Sequence, residues 1–269
     1  MDLGLTGRTA LVAASSKGLG FATARELLRE GARVMLNGHD GNNLATAAEM
    51  LYTEFSDRPD IREHVATHQA DLTDAAAAAG LVDAAAARFG GLDILVTNNG
   101  GPPVGTFATT DDDAWRRGVD LTLMSAVTLI RAALPHLEHS TAGSILTVTS
   151  ISVKMPIAGL HLSNVIRPAV AGLTKSLSQE LGPKGIRVNS LLPGTTATER
   201  MGYLLGQRAA AAGTTVDEEA EKVARAIPLG RMGKPEEFGR MAAFMVSPAA
   251  SFLNGTMIQL DGGAYSGLI

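Results

Sequence analysis

The run Ala13-Ala14-Ser15-Ser16-Lys17-Gly18-Leu19-Gly20 closes a short apolar stretch and leads straight into a helical pattern. Two glycines at such a junction let the backbone come close to a pyrophosphate, which the free amides and dipole of a helix N-terminus attract. A glycine-rich strand-to-helix turn also serves tight packing, so context matters. Here a strand precedes it, a helix follows it, and Asp71 stands behind the third apolar run, where a carboxylate can accept from an adenine amino group. Metal and thiol chemistry have little support. There is no cysteine, which excludes a disulfide framework, a thiolate metal site and a cysteine nucleophile. His64 and His68 are four apart, but the pair falls across the start of a predicted strand.

The elements that must position these residues alternate along the whole chain. Short apolar runs at 9–13, 33–36, 65–68, 92–97, 144–148, 186–192 and 256–260 predict seven strands. Between them 20–30, 43–55, 74–89, 111–138, 168–181 and 235–246 read as helices, with Gly31, Gly90-Gly91 and Gly182 as their stops. Such alternation implies an α/β fold of the Rossmann type: a doubly wound, parallel seven-stranded sheet with helices on both faces. The Ala-rich stretch through Leu81, Val82 and Phe89 reads as an amphipathic helix with a purely structural role. No linker or repeat divides residues 1–269, which read as one domain. Residues 195–234 break the rhythm, and an excursion after a parallel strand's carboxyl end is where such folds close over a ligand. The segment is read as a substrate lid, with an oligomer contact as the plainer alternative.

Composition narrows the partners. The 269 residues carry 23 Lys and Arg against 27 Asp and Glu, a net charge of −4, which argues against nucleic acid or an anionic membrane. An acid at Asp2 stands where a signal peptide needs a basic region. The uncharged run 241–260 is interrupted by Ser247, Pro248, Ser251, Asn254, Gly255 and Gln259, so it reads as a helix end, a turn and a strand. The expectation is a soluble, cytoplasmic protein.

Six motifs in order carry a family resemblance over nearly the whole chain. They are Ser16-Lys17-Gly18-Leu19-Gly20, Ala70-Asp71-Leu72, Asn98-Asn99-Gly100-Gly101, Ile186-Arg187-Val188-Asn189, Pro193-Gly194 with Thr198, and Asp261-Gly262-Gly263. The chain resembles the short-chain dehydrogenase/reductase family, most of all its β-ketoacyl-carrier-protein-reductase-like branch. The resemblance implies a dinucleotide held by Ala14, Ser16, Lys17, Gly18, Leu19, Gly20, His39, Asp71, Leu72, Asn99, Gly100, Pro193, Gly194, Thr196 and Thr198. It also implies a homotetramer or homodimer, paired in part through the C-terminal region that ends in Leu268-Ile269. The family's turn usually reads Thr-Gly-x-x-x-Gly-x-Gly, so Ala14 stands where its first glycine belongs, and a β-carbon there restricts the turn. Lys17 and His39 occupy the positions where basic residues mark a preference for the 2′-phosphate of NADP(H). Asn37 and Gly38 stand where NAD-preferring members place an acid.

The chemical end departs from the pattern. The family uses an Asn, a Ser and a Tyr-x-x-x-Lys pair, the tyrosine exchanging a proton while hydride moves to or from the nicotinamide. Here Ser150 keeps the serine position, but Ser163 stands for the tyrosine, Arg167 for the lysine and Thr122 for the asparagine. A serine hydroxyl does not titrate as a tyrosine does near ~10, and arginine stays protonated above ~12. Ser163 and Arg167 would share a helix face, being four apart. Pro168 lacks an N–H for the Asn164 carbonyl, so a helix beginning at Pro168 is expected. His161 is the nearby group able to act as acid or base near neutral pH, while Lys154 and Tyr203 have less support.

Three functional readings follow. The first is NADP(H)-dependent carbonyl reduction or alcohol oxidation, with Ser150 donating to the substrate oxygen and water or His161 replacing tyrosine. The second is a non-redox lyase or isomerase acting beside a carbonyl, with Ser150 and Arg167 holding an oxyanion or carboxylate. The third is a non-catalytic dinucleotide sensor. The partner implied is a small carbonyl-containing molecule.

Overall fold

Residues 1–268 are described by a computed structural model, so Ile269 of the C-terminal tail lies outside the described residues. Seven strands, β1 (Thr9–Val12), β2 (Arg33–Gly38), β3 (Val65–Gln69), β4 (Ile94–Thr97), β5 (Ser144–Val148), β6 (Arg187–Pro193) and β7 (Met257–Leu260), form one sheet. Their order is β3-β2-β1-β4-β5-β6-β7, and every pairing is parallel. Ten helices connect them: α1 (Gly18–Arg29), α2 (Gly41–Glu54), α3 (Ile61–His64), α4 (Ala75–Phe89), α5 (Asp112–Val119), α6 (Ser125–Leu137), α7 (His161–Leu181), α8 (Glu199–Ala212), α9 (Val216–Arg225) and α10 (Pro235–Val246).

The period of two along each strand divides the core between the two faces of the sheet. Ala10, Val12, Val34, Leu36, Ile94, Val96, Leu146 and Val148 point to one side, where they meet Leu27 and Leu28 of α1, Leu51 of α2 and Phe238 of α10. Leu11, Ala13, Met35, Leu95, Ile145 and Val188 point to the other. They meet Ala78, Leu81, Val82 and Phe89 of α4 and Leu129, Ile130, Ala133 and Leu137 of α6. The Ala-rich α4 is thus a packing element. The rod from Asp112 to Leu137 is long and apolar enough, by length and composition, to cross a membrane, but its apolar stripe is this core face.

Sequence order reverses between β1 and β4, and the crevice beyond the strand ends at such a switch point is where open α/β sheets hold ligands. The segments leaving β1, β4, β5 and β6 all emerge there. One expectation needs correction and two gain detail. The helix expected from Pro168 begins at His161 and carries the proline inside it, because tertiary packing against α5 and the turn after β5 supports the first two turns. The helix expected over 111–138 runs from Asp112 to Leu137 but widens at a π-helical turn, Asp120–Met124, between α5 and α6. α7 stops at Leu181 with Gly182 as its cap, as expected, but Gly182 keeps φ −53° and opens a 3₁₀ turn to the left-handed Gly185, whereas Gly31 and Gly90 are themselves left-handed.

The helix layer over the nucleotide end depends on one close approach. A Cβ on Gly239 of α10 would stand 2.4 Å from the Ala22 carbonyl oxygen of α1, inside backbone that cannot yield. Gly239→Ala is expected to destabilise the fold by about 2 kcal/mol, the usual scale of overpacking. That is a drop of about 4–8 °C in thermal midpoint for a chain of this size. An unchanged melting curve would mean that α1 and α10 do not pack so closely.

Candidate active site

The turn after β1 is held by a buried asparagine. The Asn37 amide oxygen accepts from Ala14 N at 3.0 Å, and its nitrogen donates to the carbonyls of His68 and Ala70. Ser15 completes the tie: its hydroxyl accepts from Asn37 N and donates to Val12 O, while Ser15 N donates to Asn37 O at 2.7 Å. The tie holds Ala14 at φ +45°, in the left-handed region and, among the described residues, the one non-glycine there. Gly20 is needed for a different reason, since a Cβ there would meet Ala14 O at 2.4 Å and the Asn98 amide at 2.9 Å. Asn98 donates to Ala14 O and so closes the turn from the β4 side.

No side chain caps α1, so its first amides remain available to an anion. Thr198, which caps α8 by accepting from Met201 N, faces Gly18 across this opening. Asp71 accepts from the amide and hydroxyl of Thr73, and these two bonds hold its carboxyl below the ordinary range, ionised and fit to accept. Asn99 Oδ1 is buried with no hydrogen-bond partner among the described residues. An uncapped helix end, a close-packed glycine turn, an ionised carboxylate and an orphaned buried acceptor together suit a dinucleotide.

Other expected contacts have structural duties. Leu72 is buried in the core, Gly194 admits Asp261 at a distance no side chain would allow, and Thr196 bridges to Gly233. Pro193 ends β6, and Gly100 and His39 are exposed. Ser16 lies against Gly38, where a Cβ would meet its hydroxyl at 3.2 Å. Leu19 packs partly on the α1 side of the core. Lys17 pairs with Glu199, the first residue of α8, at 3.1 Å, both side chains largely exposed.

Beyond β5 the chemical residues converge. Ser150 caps a short 3₁₀ turn, accepting from Ser152 N at 3.1 Å, which leaves its own hydroxyl hydrogen free to donate. Arg167 reaches back from α7 and donates through Nη1 to Val148 O at 3.2 Å and Thr149 O at 2.9 Å, the two residues before Ser150. Its Nε and Nη2 donors make no bond to the described residues. Burial of the guanidinium head, with a smaller contribution from Arg200, lowers its pKa to about 10, so it stays charged at neutral pH. Ser163 lies buried one turn before Arg167. Thr122 sits in the π-helical turn, only 1% exposed, its hydroxyl without a partner among the described residues. Gly118 lets α5 press against Ile166 and Leu162 of α7, which brings this turn to the same helix.

His161 is fixed differently. Its Nδ1 bonds Gly105 O at 2.9 Å, and a carbonyl only accepts, so Nδ1 carries a hydrogen. Nε2 is buried without a partner among the described residues, and the ring sits edge-on to Trp115 at 5.6 Å. Lys154 lies 5.6 Å from the Tyr265 ring, and the Tyr203 hydroxyl accepts from Gln207. Among the described residues no cluster of His, Cys, Asp or Glu suits a metal.

A cleft of about 920 Å³ opens beside these residues, walled by Asp71 and Thr73, the Gly101–Val104 loop, the end of α5 and α8; Ser150, Ser163, Arg167, Thr122 and His161 are not in its wall. The family model described as enoyl-(acyl carrier protein) reductase matches residues 13–265. The chain belongs to the short-chain dehydrogenase/reductase family. The cis-4-hydroxycyclohexanecarboxylate dehydrogenase of Sinomonas cyclohexanicum is 34% identical over 257 residues, 95% of this chain and 96% of that protein. The L-sorbose reductase of Gluconobacter frateurii, solved with NADPH and L-sorbose, superposes with a TM-score of 0.93 at 29% identity over the whole of both chains. A short-chain oxidoreductase from Pseudomonas aeruginosa PAO1, solved with NADPH and containing an atypical catalytic centre, gives 0.87 at 30% identity, over 97% of this chain and 98% of that one.

Within this dehydrogenase/reductase framework several site features escape a reading of the sequence. The π-helical turn leaves no mark in residue type, and the Lys17–Glu199 pair joins residues far apart in the chain. Asn37 was legible only as a missing acid, although it replaces backbone that a glycine turn would order. Ala14→Gly should relieve the left-handed strain and stabilise the protein by about 1 kcal/mol. The thermal midpoint should rise by about 2–4 °C, and no rise would mean that Asn37 already compensates the strain.

Proposed function

We propose that the protein is an NADP(H)-dependent oxidoreductase that reduces a carbonyl group, or oxidises the matching alcohol. Ser150, Arg167 and Ser163 stand in for the family's serine, lysine and tyrosine. The observation that carries this reading is the Arg167 guanidinium, fixed on the Val148 and Thr149 carbonyls beside Ser150 with donors left over for a ligand. The G. frateurii reductase and the P. aeruginosa oxidoreductase were both solved with NADPH, and in the latter nucleotide binding coexists with an atypical catalytic centre.

When bound, NADPH supplies the hydride for the carbonyl carbon. Ser150 donates its free hydroxyl hydrogen to the carbonyl oxygen, and the spare Arg167 donors stabilise the negative charge that grows there. A permanently charged guanidinium cannot give up its proton at neutral pH, so the proton comes from solvent through the Ser150 and Ser163 hydroxyls. Residues 195–234, carrying α8 and α9, act as the lid, with Glu199 and Arg200 at its hinge end. Lys17 exchanges Glu199 for the 2′-phosphate.

Nucleotide-stripped protein titrated by fluorescence should bind NADPH more tightly than NADH. Glu199→Gln should widen that preference by about twofold to fivefold, the scale of an exposed ion pair. Arg167→Met should lower kcat/KM for a carbonyl substrate by about 10²–10³, as loss of an oxyanion donor does, and Arg167→Lys should restore part of it. Tight NADPH binding with no nucleotide oxidation across acyclic, cyclic and aromatic carbonyls would turn the reading towards non-redox chemistry.

A further inference from the structure

Arg200 is the second residue of α8, and it crosses the cleft to lie on the loop after β4. A Cβ on Gly101 would stand 2.5 Å from its Nη1, so the glycine is what lets the guanidinium rest on the backbone. One bond, from Nη2 to Pro102 O at 3.1 Å, holds it there. Arg117 lines the same cleft from α5. Neither arginine makes an ion pair with a described residue, and neither does Arg167. Of the acids on the wall, Asp71 is occupied by Thr73 at the nucleotide end, and Asp120 is exposed on the π-helical turn. The remaining wall is mostly apolar, with Pro102, Val104, Leu121 and Leu204 beside the uncharged Thr73, Tyr203 and Gln207.

Arg200 and Arg167 are close enough for the charge of one to disfavour the charge of the other, and burial disfavours both. Arg200 and Arg117 face the cleft itself, with Arg167 behind Arg200, and guanidiniums gathered without an anion between them are an unfavourable arrangement that a ligand carboxylate would relieve. The planar fork of arginine suits that partner, binding both oxygens at once.

We propose that the carbonyl substrate is an oxo acid, its carboxylate gripped by Arg200 with support from Arg117 while its keto oxygen faces Ser150 and Arg167. The proposal rests on the carbonyl-reductase reading and adds the substrate's charge to it. The balance is simple: hydride passes from NADPH to the keto carbon, a solvent proton goes to the oxygen, and the products are a hydroxy acid and NADP+. The carboxylate is unchanged throughout.

The test pairs 3-oxobutanoate, 4-oxopentanoate and 4-oxocyclohexanecarboxylate with their methyl esters. Binding is measured by calorimetry on the NADP+ complex, where no turnover can occur, and NADPH oxidation is followed separately. At least one acid should bind about tenfold or more tightly than its ester, a difference of about 1.4 kcal/mol. Arg200→Gln should erase that preference and leave the NADPH dissociation constant within about twofold, while Arg200→Lys keeps part of it. Equal binding of acids and esters overturns the proposal, even if carbonyl compounds are reduced. Loss of NADPH affinity in Arg200→Gln, with the acid preference intact, also overturns it and gives Arg200 to the cofactor's phosphates. Acid preference without NADPH oxidation supports the anion site and removes the redox reading beneath it.

Discussion

The carboxyl end of the sheet is organised by the need to turn the chain from β1 into α1 within five residues while keeping every polar group bonded. Glycine usually meets that need through backbone freedom. Here a side chain meets it: Asn37 takes the amide of Ala14 on one side and two carbonyls beyond β2 on the other. The interaction is buried, where an unpaired amide or carbonyl costs about 1–3 kcal/mol. β1, β2 and the edge strand β3 therefore hold their ends in fixed relation. The uncapped N-terminus of α1, the Asn98 clasp and the start of α8 opposite Gly18 all take their positions from this tie.

The fold was legible because buried parallel strands are apolar on both faces and helices between them carry stripes of period 3.6. Strand positions such as Ser144–Val148 and the helix Pro235–Val246 emerge at their expected limits. Errors arose where tertiary contacts outweigh local preference. Pro168 is a strong local signal to begin a helix, yet Leu162 and Ile166 are buried against α5 and extend α7 by two turns upstream. The site was legible in a narrower sense. Counting from a register fixed on both sides assigns Ser150, Ser163, Arg167 and Thr122 to the family's catalytic positions as an expectation. Their orientation cannot be counted, because no spacing rule says that a guanidinium will turn back onto strand carbonyls or that the hydroxyl of Thr122 will find no partner among the described residues.

Charge near the cleft is arranged by distance along the chain rather than by local clustering. Glu199 and Arg200 are adjacent, yet one engages the nucleotide turn and the other the loop after β4. The start of α8 therefore spans the crevice like a bridge with a foot on each bank. Both footholds are polar and solvent-reachable, so they can exchange partners without breaking the core.

Pro168 has a consequence for the backbone that carries Arg167. The residue before a proline is sterically discouraged from helical angles, and here that residue is Arg167 itself. Its side chain therefore leaves a helix whose Asn164 carbonyl has lost its usual donor, a fault that the Asn164 amide partly braces by clasping Ile157 through both its atoms. Any side chain at 163 or 167 therefore stands on a turn with one hydrogen bond fewer than a regular helix, and the proline and the Asn164 clasp set its direction as much as its own length does.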